Sequence, residues 1–461
     1  MDLADQKTIV NSQKYYPDIM VAILKFFHPL IILPLILAMS VSGCSQFSQE
    51  DIPETQVAVQ IPTTTARIPT PSPTATPPYL SSTITIWHSW DEQALPVLEQ
   101  ILADFSDNHP NVYFDVLYVP VENFLAKFEF ETGQGRGPSI ILGPAEWGPY
   151  LYDQGYISSL SGSISEGLLT QLNQPALDTA WYRNELIGLP YSLEGILLFR
   201  NRNIIPDSAA TFEQLIYNAN NASQGEMIGA YLDRGFIYSG ANLEGIGGAL
   251  MDEDGNPAFN DPKGVEWLEL LLNYQDAGPT DYLSDQDVDL FKAGRVGIII
   301  EGSWRLSELT EALGIENIVI DRWPESKEGA LAGYVFPEMI YLNRETTGDR
   351  LAASRAFMEH FISNQTQTKI AEEGMIPAST GIILTDPITG TLMMKSMNAL
   401  SEGIGYPVIS EMDAYQVPMD IALRSVFART VLPGEALQKA SDSIIDALQS
   451  PSATPTETTT P

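Results

Sequence analysis

Three short stretches bring aromatic and acidic side chains together: His88-Ser89-Trp90-Asp91, Glu146-Trp147 and Glu301-Gly302-Ser303-Trp304. Each follows a run of apolar or β-branched residues of strand character, at 84–87, 139–142 and 297–300. In open α/β sheets ligands bind beyond the carboxyl ends of strands, which is where these residues fall. An indole offers a broad apolar face, and a carboxylate accepts a stronger hydrogen bond than a neutral oxygen does. Trp90 and Trp147 enter as candidate ligand contacts on these local grounds. Trp87, in mid-strand, reads as core, and Asp91 could equally cap the helix that follows it.

Catalysis is weakly marked. A glycoside hydrolase needs two carboxylates roughly 5 to 10 Å apart, and among 59 acidic residues nothing singles out a pair. The histidines beyond position 28 are His88, His109 and His360. Only His88 falls at one of these strand ends, and no G-x-S-x-G elbow accompanies it. There is no H-E-x-x-H. Asp252-Glu253-Asp254-Gly255-Asn256 has its glycine too early for a calcium loop and is read as a hairpin turn. No enzyme, metal or cofactor is expected.

The elements that position these residues alternate between strand and helix. Thr83 to Trp87 alternates as a strand does, and Leu98, Ile101, Leu102 and Phe105 form the stripe of a core-facing helix. Val112 to Tyr118 and Ser139 to Leu142 read as further strands. Asp261 can cap a helix opening at Pro262, with Val265, Leu268 and Leu272 inward. Gly297 to Ile300 is a continuous apolar strand after a helix ending near Gly294. This spacing predicts an α/β fold with mostly parallel sheets covered by helices. With 461 residues there is room for more than one lobe.

Charge and the lone cysteine speak to location. The formal net charge is −35, so nucleic acid and anionic headgroups are poor partners. Phe26 to Met39 is apolar with Lys25 before it, and Val41-Ser42-Gly43-Cys44 closes it with small residues. This is the pattern of a secretory signal peptide, and its end resembles the lipobox of bacterial lipoproteins. Residues 1–43 are therefore expected to be cleaved, with Cys44 lipidated; the polar lead leaves the start open between Met1 and Met20. Residues 44–82 are rich in Thr and Pro and read as a disordered tether, with a reach on the order of 100 Å. The tail at 450–461 repeats that composition.

Four stretches in order resemble bacterial extracellular solute-binding proteins of the maltose-binding type, the capture components of carbohydrate ABC importers. They are Ile84-Thr85-Ile86-Trp87 with Trp90-Asp91; Gly135-Arg136-Gly137-Pro138-Ser139-Ile140; Gly188-Leu189-Pro190-Tyr191-Ser192-Leu193-Glu194-Gly195 through Asn201; and Phe291-Lys292-Ala293-Gly294-Arg295-Val296-Gly297 through Gly302-Ser303-Trp304. The chain departs from the family with Ser139 in place of an Asp, and with Gly297-Ile298 where Ala-Met is common. The resemblance covers Thr83 to Leu448 and implies the two-lobed, hinged type II periplasmic-binding-protein fold. It assigns 83–192 and 335–380 to the N-terminal lobe, and 193–334 and 381–449 to the C-terminal lobe. It implies ligand contacts at Asp91, Glu146, Glu194, Trp304 and Tyr415, with Asp233 and Phe236 lining the far lobe. Glu194 has a competing reading as a hinge residue or helix cap. The implied ligand is a maltooligosaccharide-like sugar. The implied partner is the membrane subunits of an ABC permease, with the protein a monomer lipid-anchored outside the cytoplasmic membrane. The alternatives are a binder of a polyamine, phosphodiester or peptide and, behind it, an exported glycoside hydrolase.

Overall fold

The computed structural model describes residues 80–281, 284–409 and 411–449, with the side chain of Asp281 not described. Cys44, the apolar run before it, the Thr/Pro stretch up to Tyr79 and the tail lie outside the described residues. Among the described residues no helix is long and apolar enough to cross a membrane.

The chain enters the fold through β1 (Ser82–His88), which buries Ile84 and Ile86 on one face while Thr83 and Thr85 alternate away. β1 lies parallel to both β2 (Val112–Tyr118) and β3 (Ile140–Pro144). The helix Leu95–Asn108 connects β1 to β2 and buries Val97, Leu98, Ile101 and Phe105, with Pro96 in its first turn. Leu102, counted in the expected stripe, is half-buried at its edge. Ser139, the departure from the family pattern, ties β3 to β1: its backbone N–H donates to the Thr85 carbonyl at 2.9 Å.

A second set of strands follows. β4 (Leu189–Asn201) runs through both halves of the body, β5 (Ile228–Asp233) lies parallel to β6 (Val296–Gly302), and β7 (Ile318–Asp321) and β8 (Tyr334–Leu342) return antiparallel to β4. The spatial order is β2-β1-β3-β8-β4-β6-β5, closed by the short strand Thr280–Asp281. The first half of β4 pairs with β8, between Leu189 and Gly195. Its second half, from Ile196 to Arg200, pairs with β6. One continuous strand thus changes partner at Glu194–Ile196 and carries the chain between two lobes. The parallel strands sit in the lobes, and the antiparallel ones make the crossings.

Each lobe has an apolar interior. One core gathers Ile84, Phe105, Phe124, Phe128 and Ile140, and the other gathers Leu198, Phe212, Trp267, Leu271 and Met419. Helix Pro262–Asn273 is capped by Asp261, whose carboxylate accepts from the Gly264 N–H at 2.9 Å. It buries Trp267, Leu268, Leu270 and Leu271, while Val265 and Leu272 are only half-buried. The turn at 252–256 closes a hairpin, with a bridge between Met251 and Pro257. The expected lobe boundaries at 192/193 and 334/335 fall in β4 and at the start of β8. Helix Thr389–Ser401, placed by the sequence in the second lobe, adds Leu392, Met393, Met397 and Leu400 to the core that holds Ile84. It packs across the junction.

A buried ion pair secures the crossing. Arg200, near the end of β4, donates to both carboxylate oxygens of Asp321 on β7, at 2.6 and 3.0 Å. Its remaining N–H groups reach the carbonyls of Ile205 and Pro206 at 2.7 Å. Arg200 is 5% exposed, so these bonds offset a desolvation cost of several kcal/mol.

Candidate cleft between the lobes

β4 and β8 leave two glutamates on one face of the crossing. Glu194 sits opposite Phe336 and Glu338 opposite Ser192, so the two are diagonal neighbours across the antiparallel pair. Such positions are ~7–8 Å apart at the backbone and within reach of long side chains. Both line a cavity of about 810 Å³, in the range of small-molecule sites. Trp90 and Asp91 from the β1 exit, Tyr191 on β4, and Ser303 and Trp304 from the β6 exit complete its central walls. Residues 371–376, 384–386, 389, 390, 392 and 393 line it as well.

Local bonds hold these groups in place. Trp90 donates its indole N–H to the Tyr191 hydroxyl at 2.8 Å, and that hydroxyl leans toward Glu338 at 3.4 Å. The Trp90 backbone N–H donates to Nδ1 of His88 at 3.1 Å, and His88 itself is buried, which lowers its pKa. His88 therefore shapes the loop from beneath. Asp91 accepts from the N–H groups of Gln93 and Ala94 at 3.0 Å, so it starts the turn before the helix and lines the cleft as well. The Ser303 hydroxyl accepts from the Gly195 N–H at 3.1 Å, joining the β6 exit to the crossing. Trp304 folds back over Gly302: a Cβ there would come within 2.0 Å of the indole, so only glycine admits this ring position.

The electrostatics are uniform in sign. Burial pushes Glu194 up to about 7, helped by the nearby Glu146 carboxylate. Burial pushes Glu338 up to about 8, with Glu194 and Glu146 adding repulsion. Glu146 is raised by burial too. It lies two residues beyond Pro144, which pairs with Glu338, and although it is not in the lining, its carboxylate is close enough to act on those of Glu194 and Glu338. Among the described residues no group of three His, Cys, Asp or Glu side chains converges as a metal site.

Of the nine residues expected to touch ligand, the cleft unites Trp90, Asp91, Glu194 and Trp304. Glu146 adjoins this group without lining the cavity, and the remaining four pack into the lobes. Trp147 is 2% exposed, stacked 4.9 Å from Phe124 and folded over Gly143 in the first lobe's core. It begins a helix, so its side chain turns back onto β3 instead of out from it. Tyr415 is fully buried, and its hydroxyl donates to the Gly255 carbonyl at 2.8 Å. It staples a helix to the 252–256 hairpin. Phe236 is buried against Tyr334 in the second core. Asp233 is 5% exposed and accepts from the Gly235 N–H at 2.6 Å, shaping the turn after β5. Tyr191 and Glu338 were not singled out by sequence; only the pairing of β8 with β4 brings Glu338 to the cleft. A smaller cavity of about 390 Å³, lined by Thr179, Trp181, Tyr182, Glu244 and Tyr406, contains none of the expected contacts.

Two α/β lobes, linked by crossing strands and enclosing an aromatic and acidic cleft at the crossing, define a two-lobed ligand-capture fold. The chain belongs to the bacterial extracellular solute-binding protein family, whose model matches residues 100–395, more than half of the chain. It is 22% identical over 395 residues to the galactooligosaccharide-binding protein of Bacillus subtilis, covering 78% of this chain and 88% of that protein. It is also 22% identical over 261 residues to the maltotriose-binding protein of Pyrococcus abyssi. That match spans 54% of this chain and about half, 55%, of the relative's length. Among solved structures, the extracellular solute-binding protein of Staphylococcus aureus in complex with maltose shares the fold. Its TM-score is 0.71 at 20% identity, covering 80% of this chain and 98% of that one. The cyclic α-maltosyl-1,6-maltose binding protein of Arthrobacter globiformis does so with a TM-score of 0.70 at 19% identity, covering 80% of this chain and 99% of that one.

Proposed function

We propose that this protein captures an oligosaccharide in the interlobe cleft and delivers it to the membrane subunits of an ABC permease. The observation that carries the reading is the company the cleft keeps: two indoles, Trp90 and Trp304, beside Glu194 and Glu338 in one cavity of about 810 Å³. Flat rings stack on sugar faces, and carboxyl groups bond to hydroxyls. Relatives named for maltotriose, galactooligosaccharide and maltooligosaccharide binding support a sugar of that kind. The matched family is one of binding proteins and indicates no enzyme family. Export with a lipid on Cys44 accords with the sequence before it, and streptococcal relatives are named as lipoproteins. Metabolic labelling with a fatty-acid analogue should tag the wild type and not Cys44→Ala; an unlabelled wild type would refute the anchor.

Binding is testable by tryptophan fluorescence, since both indoles line the cleft. Maltooligosaccharides should change the emission saturably, and a chain that answers spermidine but no sugar would sink the carbohydrate reading. A consumed ligand would mark an enzyme instead.

A further inference from the structure

Among the described residues, the cleft has an acidic lining with no cationic side chain in it. Asp91, Glu194, Glu338, Glu372, Glu373 and Asp386 line it, and no Lys, Arg or His does. The exposed members of this set are solvated and count for little. Glu194 and Glu338 differ. They share one face of the β4–β8 pair in the cleft, with the Glu146 carboxylate near enough to act on both. Among the described residues none of the three has an ion pair; elsewhere in the body even an enclosed charge such as Asp321 has its arginine. The hydroxyl of Tyr191 reaches Glu338 only at 3.4 Å.

A neutral sugar would hydrogen-bond these groups but bring no counter-charge, so the enclosed pair relieves its repulsion only by holding protons, as the raised values of Glu194 and Glu338 reflect. A cation in the same place turns repulsion into attraction, and potentials of opposite sign across an interface favour the matching partner over others. The cavity walls add Trp90 and Trp304, whose ring faces attract cations as well as sugar rings. A bare metal ion does not fit, because the carboxylates do not converge as ligands do. We propose that the preferred ligand is an oligosaccharide carrying at least one protonated amino group, its ammonium over the Glu194–Glu338 pair and its rings against Trp90 and Trp304. This rests on the carbohydrate reading and narrows its substrate class.

Isothermal titration of the full-length chain in detergent would compare maltotriose, its mono-amino-deoxy analogues and spermidine at one pH and ionic strength. At least one amino analogue should bind about tenfold tighter than maltotriose, or more. Glu194→Gln and Glu338→Gln should each shrink that ratio toward one. Equal or tighter binding of maltotriose than of every amino analogue would overturn the inference while leaving the carbohydrate reading in place. A ratio unmoved by both substitutions would also overturn it. Binding of spermidine without any sugar would overturn the carbohydrate reading itself.

Discussion

At the scale of single residues, the indoles divide by where their backbone turns. Trp304 is held by a Gly302 backbone that lets the ring fold back and line the cleft, whereas Trp147 opens a helix and turns into the core. Trp304→Ala should therefore weaken sugar binding by roughly 2 kcal/mol, the scale of an aromatic hot spot, with melting temperature unchanged. Titration calorimetry beside a thermal melt checks both halves. Trp147→Ala should do the reverse, costing about 3–5 kcal/mol of stability through the cavity it leaves. Tyr415→Phe removes only the hydroxyl that donates to Gly255, so a loss near 1 kcal/mol in denaturant unfolding is expected, with affinity intact. A large loss of sugar binding in that variant would restore Tyr415 to the site.

At the scale of elements, β4 carries the design. Thirteen residues long, it pairs with β8 in one lobe and β6 in the other, so the site and the lobe connection are built on one strand. Its anchor beyond the crossing is the Arg200–Asp321 pair. Asp321→Ala would leave an uncompensated buried guanidinium and should cost about 3–5 kcal/mol. Equilibrium unfolding in urea measures this, and a loss under 1 kcal/mol would show that Arg200 finds another partner. The crossing was legible as a segment through its resemblance to the family, since an unbroken apolar run has no periodicity that distinguishes strand from helix. Its partner on the floor, Glu338, was not. Inside Tyr334–Leu342 it is one acidic residue among apolar ones, and its meaning comes from the strand beside it.

At the scale of the whole molecule, the floor carboxyls couple stability to pH. Folded Glu194 and Glu338 hold their protons up to about 7 and about 8, while in the unfolded chain a glutamate releases its proton near ~4.3. Between those values the native state binds more protons than the unfolded one, so its stability falls as pH rises. The contribution is full below the unfolded value and gone once both groups ionise. Melting temperature of the ligand-free protein should thus drop from about pH 5 to about pH 8, and Glu338→Gln should flatten the slope. A flat wild-type profile over that range would contradict the enclosure of these groups.

The sequence by itself determined the α/β alternation, the strand ends that carry Trp90, Asp91 and Trp304, the Asp261 cap, the core role of Trp87, and the lipobox pattern before Cys44. These are local: periodicity, a cap or a cleavage pattern is written in neighbouring residues. The tertiary structure decided which acidic and aromatic side chains share the cleft. Tyr191 and Glu338 are 147 positions apart and meet through the β4–β8 register, while Tyr415 and Phe236 were drawn into the second lobe's core. Strand exits are set by local pattern, but a side chain's direction beyond them depends on the turn it enters and the surface it can bury.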